Sequence, residues 1–342
     1  MELKFRPVDR IENVRVLTIA VPAFNDLVAL EKTLLSIIPF FISLPKNEVE
    51  LIVSDNASPD STWEKASYLL KDIKNARVIR QSENIGFARN LKALSIESSA
   101  QFIWFVGLGE RLAQNVLPEL IEFLRSNDPD WGTLKGYFDF QQFVPSVDRG
   151  FLVGRSTVRN DVPVVSHVIS LNIFRTELVR KLELGPGSVT DDFWPHFEVV
   201  AQYLLSDINR EPRWFYFDTT TVLIAKNKHG AWDFKPHALD IFLEWGNVFW
   251  KISDKLENST WMTRRSKELI SRHFLEFIFM LTKFGTLGRL HVLQKIFSAP
   301  QIRWHVKLLS ALISLAPRGL LTLLAHVRSM LRGDKSWRAT ES

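Results

Sequence analysis

The 342-residue chain contains no cysteine. Disulfide bonds, thiolate zinc sites and cysteine nucleophiles are therefore excluded. No apolar run reaches the roughly 18 to 20 residues that a helix needs to span a bilayer. The N-terminal sequence MELKFRPVDR also lacks the apolar core of a signal peptide, so we expect a protein on the cytoplasmic side of the membrane. The overall composition, with 46% apolar and 24% charged residues, is typical of a folded globular protein.

Acidic residues are scarce towards the C-terminus. Residues 236–342 contain 16 Lys and Arg against 8 Asp and Glu, whereas residues 1–235 contain 27 against 30. This asymmetry predicts contact with an anionic surface, either a membrane face or nucleic acid. Predicted helices at 303–316 and 319–331 carry polar and basic residues on one side, and the first carries Trp and Leu on another. Such a pattern favours helices that lie in the plane of a membrane surface, and a helical subdomain packed on the rest of the chain is the alternative.

The first part of the chain predicts an α/β fold. Strand-like and helix-like segments alternate, which favours βαβ units and a mostly parallel central sheet flanked by helices. The predicted strands are 16–22, 49–55, 77–81 and 101–107, and the predicted helices are 27–40, 61–73, 88–97 and 115–125.

Beyond residue 130 the pattern becomes less regular. Aromatic and β-branched residues at 131–151 predict extended structure at one edge of the sheet. Further strands are predicted at 164–174 and 213–224, and further helices at 176–182 and 192–205. Only helical spacing follows residue 235. We therefore expect an α/β domain at 1–235 and a basic, amphipathic α-helical extension at 236–342.

Four loops follow the first four predicted strands. They contain VPAFN at 21–25, SDNASPD at 54–60, NIGFARN at 84–90 and GLGE at 107–110. Because the carboxyl ends of parallel strands share one edge of a sheet, we expect these loops to line one crevice. Taken singly, each loop is more simply a turn followed by a helix cap. The order and spacing of all four favour a ligand site.

Several groups in these loops suit a nucleotide. Asp55 offers a hydrogen-bond acceptor to a base or a ribose, and Phe24 offers a ring to pack against a base. Gly86 allows a ligand to approach the backbone closely. The N-terminus of the helix at 88–97, together with Arg89, favours a phosphate group.

The first three of these loops resemble motifs of family 2 glycosyltransferases with the GT-A fold. The family has a VPxYN-like turn, here VPAFN, a DxxSxD-like loop, here SDNASPD, and an NxGxxxxxN-like loop, of which NIGFARN matches the first part. Within the family, the chain is similar to the abequosyltransferase-like and rhamnosyltransferase-like enzymes of bacterial surface polysaccharide and lipopolysaccharide synthesis. The resemblance covers about 16–235.

The resemblance implies an activity and a location. It implies an inverting transfer of a sugar from a UDP-, dTDP- or GDP-linked donor to a hydroxyl of a lipid-linked or polysaccharide acceptor. The enzyme would act as a peripheral protein on the inner face of the plasma membrane. Nucleic acid is not an expected partner, because the chain lacks an aromatic and basic stacking platform.

The resemblance also implies the donor contacts. Asp55 would bind the base, Pro22, Phe24 and Asn25 would frame the base and ribose, and Arg89 would lie near the diphosphate. The other expected donor-binding residues lie in the same loops, and they are Ala23, Asn56, Asn84, Gly86, Leu108 and Gly109.

The expected catalytic base follows the acceptor loop. The family has an ED-like pair at the start of a helix, and Asp191 and Asp192 occupy this place, with Asp192 preferred as the base. His196 lies one turn further along and is expected to orient the base or to contact the acceptor. The alternatives are a helix cap for the two aspartates and a partly buried structural role for the histidine.

The metal motif of the family is degenerate in this sequence. Leu108 and Gly109 stand where aspartates are expected, which leaves Glu110 as the sole acid. Glu110, the donor phosphates and His229 are one predicted ligand set for Mg²⁺ or Mn²⁺. In the second interpretation, Arg111 neutralises the leaving group and no metal is needed. The third is a catalytically impaired subunit that binds nucleotide and scaffolds a membrane glycan-assembly complex.

Overall fold

A computed structural model describes residues 15–113, 116–138, 151–153, 168–185, 195–206, 212–224, 293–294, 297 and 304–315. The chain divides into two compact units, Met1–Ala231 and Trp232–Ser342, and each is considered by itself. The predicted roles of residues 1–235 and 236–342 stay predictions.

The first unit is built on one mixed sheet. Its described strands are β1 (Arg15–Ala23), β2 (Val49–Asp55), β3 (Ala76–Arg80), β4 (Ala100–Phe105), β5 (Arg111–Leu112), β6 (Trp131–Phe138), β7 (Phe151–Val153), β8 (Asn172–Arg175) and β9 (Trp214–Ile224). They follow the order β3-β2-β1-β4-β8-β6-β9-β5, and β7 also pairs with β9.

The half of the sheet formed by β3, β2, β1 and β4 is parallel. Strands β1 and β2 are buried almost throughout without polar alternation, as expected for central strands covered on both faces. The four predicted strands of this half are confirmed. β1 runs one residue beyond Pro22, whose missing N–H is tolerated this close to the end of the strand.

The helices of this unit flank the sheet. They are α1 (Leu27–Phe41), α2 (Thr62–Leu70), α3 (Phe87–Glu97), α4 (Val116–Asn127), α5 (Thr176–Arg180) and α6 (Pro195–Ser206). Asp26 caps α1, since its Oδ1 accepts the Ala29 amide at 2.9 Å. The apolar stripes of α1 and α4 pack on the buried side chains of β1, β2 and β4. This core holds the carboxyl ends of the parallel strands at one edge.

The second half of the sheet contains both parallel and antiparallel strand pairs. One prediction for this half is wrong. β6 does not lie at an edge but between β8 and β9. β6 pairs with β8 on one side and with β9 on the other, and aromatic and β-branched residues suit an interior strand as well as an edge strand. Gly132 makes room for a neighbouring ring inside the sheet, because a Cβ at this position would lie 1.9 Å from Cε1 of the buried Phe215 ring.

The segment predicted as a strand at 164–174 is also corrected. The described residues Ile169–Leu171 form a 3₁₀ turn, and β8 begins only at Asn172. The Asn172 side chain donates to the Val168 carbonyl at 2.8 Å, which stabilises a turn before the strand. Apolar β-branched residues alone could not reveal this local bond.

One helix of the second unit is described at length, α7 (Trp304–Leu315). It buries Val306 and Ser310, whereas five of its large apolar residues are exposed: Trp304, Leu308, Leu309, Leu312 and Leu315. The residues that the structure describes include no helix long and apolar enough to cross a membrane.

Candidate active site

The loop after β1 is tied to the loop after β2. Asn25 adopts a left-handed conformation with a φ of 49°, and its amide donates to Oγ of Ser58 at 2.9 Å. The Leu27 amide, at the start of α1, donates to Oδ2 of Asp60 at 3.2 Å. These two bonds leave the Phe24 ring on the surface beside the joined loops. An exposed aromatic ring in this place can pack against a planar ligand.

Asp55 ends β2 and is fully buried. Both of its carboxylate oxygens accept the Ser58 amide at 3.3 Å, and Oδ2 lies 3.3 Å from Nε of Arg80. The Arg80 side chain also donates from Nη2 to the Ser58 carbonyl, and its guanidinium lies over the Trp63 ring at 5.8 Å from the centroid. A base N–H can therefore reach Asp55 only if the residues around it shift.

The loop after β2 is tied in turn to the loop after β3. The Asn56 side chain donates to Oδ1 of Asn84 at 2.8 Å and accepts the Ile85 amide at 3.0 Å. Asn84 Oδ1 also accepts the Gly86 amide at 3.0 Å. Gly86 has a φ of 83°, a conformation that strains any other residue type, and α3 starts directly after it. The first amides of α3 are thereby placed beside this loop.

Two further side chains of α3 have separate roles. Asn90 is buried, accepts the Ser54 hydroxyl at 2.6 Å and donates to the Ser54 carbonyl at 3.2 Å, which fixes the helix to the end of β2. Arg89 is exposed in the first turn of the same helix. A guanidinium beside helix N-terminal amides can bind an anion.

The loop after β4 is fixed by α1. The Thr33 hydroxyl accepts the Gly109 amide at 2.8 Å and donates to the Gly107 carbonyl at 3.3 Å. The Ser36 hydroxyl accepts the Leu112 amide at 3.2 Å, where the chain enters β5. The two hydroxyls lie about one helical turn apart and hold the loop at both ends.

Glu110 lies within this loop and bends back on it. Its Oε2 accepts the Gly107 amide at 2.9 Å. Burial raises the pKa of Glu110, against the opposing effects of the Ser170 hydroxyl and the Gly107 amide. The residue is therefore a half-buried acid whose charged form is disfavoured by its surroundings.

The structure thus brings the four predicted loops together at one edge of the sheet. Hydrogen bonds join the first to the second and the second to the third, and α1 carries the fourth beside the first. Of the predicted donor-binding residues, Pro22, Ala23, Asp55 and Asn56 are buried, whereas Phe24, Asn25, Asn84, Gly86 and Arg89 are exposed, and Leu108 and Gly109 lie in the Thr33-bound loop. The contacts proposed for these residues with a ligand stay predictions.

The predicted catalytic residues are less completely placed. Asp191, Asp192 and His229 lie outside the described residues. His196 is buried in the first turn of α6, with its ring 4.8 Å from that of Phe197. Burial against an aromatic ring agrees with the structural alternative given for this histidine, and its catalytic role stays a prediction.

Sequence reasoning missed the residues that join the loops. The sequence does not indicate the role of Thr33, because a threonine in an apolar helix is usually interpreted as an ordinary core residue. Arg80 follows a short strand and gives no motif. Ser58 and Asp60 belong to the SDNASPD motif, but the motif does not reveal that both side chains bond to the first loop and the start of α1.

The fit of a divalent cation can be tested on the same loop. Mg²⁺ and Mn²⁺ take several hard oxygen ligands. Gly107, Leu108 and Gly109 offer no side-chain ligand, and the Glu110 carboxylate already holds the Gly107 amide. In the part of the chain that the structure describes, no three His, Asp or Glu side chains are grouped to hold a metal. The described residues therefore do not form a metal site by themselves.

Comparison with known proteins relates this edge to a family. Residues 18–183 match the family model described as Glycosyl transferase family 2. The matched segment spans β1 to β4 and all four loops at their carboxyl ends. A search of curated protein sequences finds no match to the chain.

Solved structures share the architecture. S. aureus TarS 1-349 in complex with UDP-GlcNAc aligns with a TM-score of 0.60 and 14% identity, covering 93% of this chain and 92% of that chain. The mannosyltransferase PcManGT from Pyrobaculum calidifontis, in complex with GDP-Man and Mn²⁺, aligns with a TM-score of 0.50 and 12% identity, covering 94% and 82%. At these identities the likeness establishes a common fold and nothing finer.

Proposed function

We propose that this chain, which carries a family 2 glycosyltransferase domain on a GT-A fold, transfers a sugar from a nucleotide donor to an acceptor hydroxyl in cell-surface glycan synthesis. The observation that carries the proposal is the hydrogen-bonded junction of the four loops. The joined loops include the exposed Phe24 ring and lead into α3, whose N-terminus and Arg89 suit a phosphate group, and this supports a donor site at the carboxyl ends of the strands.

The donor is proposed to be a UDP-, dTDP- or GDP-linked sugar. The α3 N-terminus and Arg89 supply positive potential for the diphosphate, and Phe24 supplies a face for the base. The fold neighbours support this class, since TarS has been solved with UDP-GlcNAc and PcManGT with GDP-Man. The narrower likeness to abequosyltransferase-like or rhamnosyltransferase-like enzymes rests on the sequence motifs.

The reaction is proposed to invert the anomeric centre. Asp192 would take the proton of the acceptor hydroxyl while that oxygen attacks the anomeric carbon from the face opposite the diphosphate. Such a displacement requires the base and the diphosphate to lie on opposite sides of the sugar. Asp191 is the other candidate for the base, and His196 would orient the base or contact the acceptor. All three assignments rest on the sequence pattern.

The acceptor is proposed to be lipid-linked or a polysaccharide, met at the cytoplasmic face of the plasma membrane. Between 277 and 340 the chain has ten Lys and Arg residues and one acidic residue, Asp334. α7 exposes Trp304 and three leucines on one face. A basic segment with an exposed apolar helix face suits an anionic lipid surface.

A donor screen tests this function. Purified protein is incubated with UDP-, dTDP- and GDP-sugars, and release of the nucleoside diphosphate is measured. We expect at least one donor to be turned over. Asp192→Asn should abolish turnover with little change in donor affinity. The control is Asp72→Asn, which should retain turnover, because Asp72 is exposed in the connection between α2 and β3, at the end of β3 away from the four loops. Retained turnover in Asp192→Asn would show that another residue is the base.

A second candidate is a nucleotide-binding subunit without catalysis that scaffolds a membrane glycan-assembly complex. Leu108 and Gly109, in the place of the family's aspartates, favour it. The same screen separates the two, because the scaffold binds a nucleoside diphosphate yet turns over none of the donors.

A further inference from the structure

The carboxyl group of Glu110 occupies the space above Gly107. A Cβ added to Gly107 would lie 3.0 Å from Oε2 of Glu110 and 3.2 Å from Cδ, so a side chain at 107 would press on this carboxyl. The 2.9 Å bond from the Gly107 amide to Oε2 holds the carboxyl there. Gly107 and Glu110 therefore form a matched pair that closes the loop on itself.

Three further polar groups of this loop, the Gly107 carbonyl and the Gly109 and Glu110 amides, are bonded to protein atoms. Gly109, at a φ of 84°, donates its amide to Thr33, whose hydroxyl donates to the Gly107 carbonyl. The Glu110 amide also donates to the Gly107 carbonyl at 3.3 Å. The loop is held in shape by α1 and by its own acid. An ion is not needed to order it.

The surroundings of Glu110 differ from those of a metal ligand. Its Oε2 accepts the Gly107 amide at 2.9 Å, so this oxygen is directed at the backbone of its own loop. Glu110 also belongs to no group of three potential ligands among the residues that the structure describes. Both observations agree with the geometry of the closed loop.

We infer that Glu110 is a positioning residue that closes the 107–110 loop, and that it does not ligate a metal ion. The donor diphosphate then binds beside a preformed loop, and its charge is matched by Arg89 and the α3 N-terminus. A nucleoside diphosphate should bind equally well with and without Mn²⁺. The choice of a nucleoside diphosphate as the ligand rests on the proposed function. The role of Glu110 rests on the described loop alone.

Calorimetry with the full chain tests the role. UDP, dTDP and GDP are titrated in excess EDTA and in excess Mn²⁺. We expect affinities that agree within about threefold between the two buffers. Glu110→Gln should bind like the wild type, because its amide oxygen still accepts the Gly107 amide, whereas Glu110→Ala should lose about tenfold or more. Thr33→Val should weaken binding in the same way, and Ser43→Ala, which removes a hydroxyl beyond the end of α1, should not.

The opposite pattern would overturn the inference. A metal ligand would show affinity that Mn²⁺ raises about tenfold or more, with this gain lost equally in Glu110→Gln and Glu110→Ala. If no nucleotide binds in either buffer, the proposed function fails. The role of Glu110 is then decided by titrating Mn²⁺ alone and following the melting temperature. No saturable rise is expected, and a rise that Glu110→Gln abolishes would contradict the inference.

Discussion

Nε of Arg80 lies 3.3 Å from Oδ2 of Asp55, and the two residues face each other in the register of β2 and β3. Asp55 is fully buried, whereas the Arg80 side chain is 43% exposed. The pair therefore matches a buried charge at the floor of the loop junction with a guanidinium that reaches solvent. We expect the pair to contribute to the stability of the fold, because a buried carboxylate without a partner lowers the free energy of unfolding.

Arg80→Met should destabilise the protein by about 1 to 3 kcal/mol, since it leaves Asp55 with the Ser58 amide as its remaining hydrogen-bond partner. Urea unfolding measures the loss. The matched control is Arg125→Met, whose side chain is 44% exposed and pairs with the partly exposed Glu48. This change should cost about 0 to 1 kcal/mol. Equal losses in the two variants would show that the burial of Asp55 is irrelevant to stability.

Glu50 should make stability depend on pH. Burial raises the pKa of its carboxyl, but hydrogen bonds from the Ser99 amide, Thr18 and Arg77, with the charge of Arg77, outweigh burial and lower it below 4.5. The folded state therefore favours the carboxylate. Its stabilisation is complete above the unfolded pKa and is lost as the pH falls through the folded pKa.

The measurement is urea unfolding from neutral to acid pH. Glu50→Gln should be less stable than the wild type at neutral pH, and the difference should shrink as the pH falls below 4.5. A difference that stays constant across this range would contradict the assignment of the pH dependence to Glu50.

Gly132→Ala should destabilise the sheet by about 1 to 3 kcal/mol, because its methyl group would overlap the buried Phe215 ring. Denaturant unfolding provides the value. The double variant Gly132→Ala with Phe215→Leu frees space beside position 132, so it should lose less than the two single losses added together. Strict additivity would mean that the ring and the glycine do not share this space.

Vesicle binding tests the exposed face of α7. Trp304 and Leu312 are 66% and 67% exposed, so Trp304→Ser and Leu312→Ser should each weaken binding to vesicles rich in phosphatidylglycerol, by about tenfold for the tryptophan. Tyr68→Ser, which removes a 64% exposed ring from the first unit, should leave binding unchanged. Equal binding by all three variants would remove α7 from the membrane proposal.

The parallel half of the fold could be predicted from the sequence. Val16 to Ala23 is apolar on both faces apart from Thr18, and Val49 to Asp55 has the apolar run Leu51, Ile52 and Val53 at its centre. Such short runs are typical of buried parallel strands. The loops that follow were predictable for the same reason, since parallel strands deliver their carboxyl ends to one edge. The resemblance to family motifs then indicated a donor-binding role for the loops VPAFN, SDNASPD and NIGFARN.

The mixed half could not be predicted in the same way. β6 packs Gly132 against the Phe215 ring, and the Asn172 side chain stabilises the turn before β8. Both are contacts between specific atoms that leave no periodic signal. The bonds of Thr33 and Arg80 are likewise non-local, so the residues that shape the site were harder to predict than those expected to touch the donor.

Stereochemistry tests the central claim most directly. Proton NMR follows turnover of an active nucleotide sugar and reports the anomeric configuration of the transferred sugar. We expect inversion in the wild type and no transferred sugar in Asp192→Asn, with the donor still bound. Retention of configuration, or absence of turnover with every UDP-, dTDP- and GDP-sugar, would contradict it.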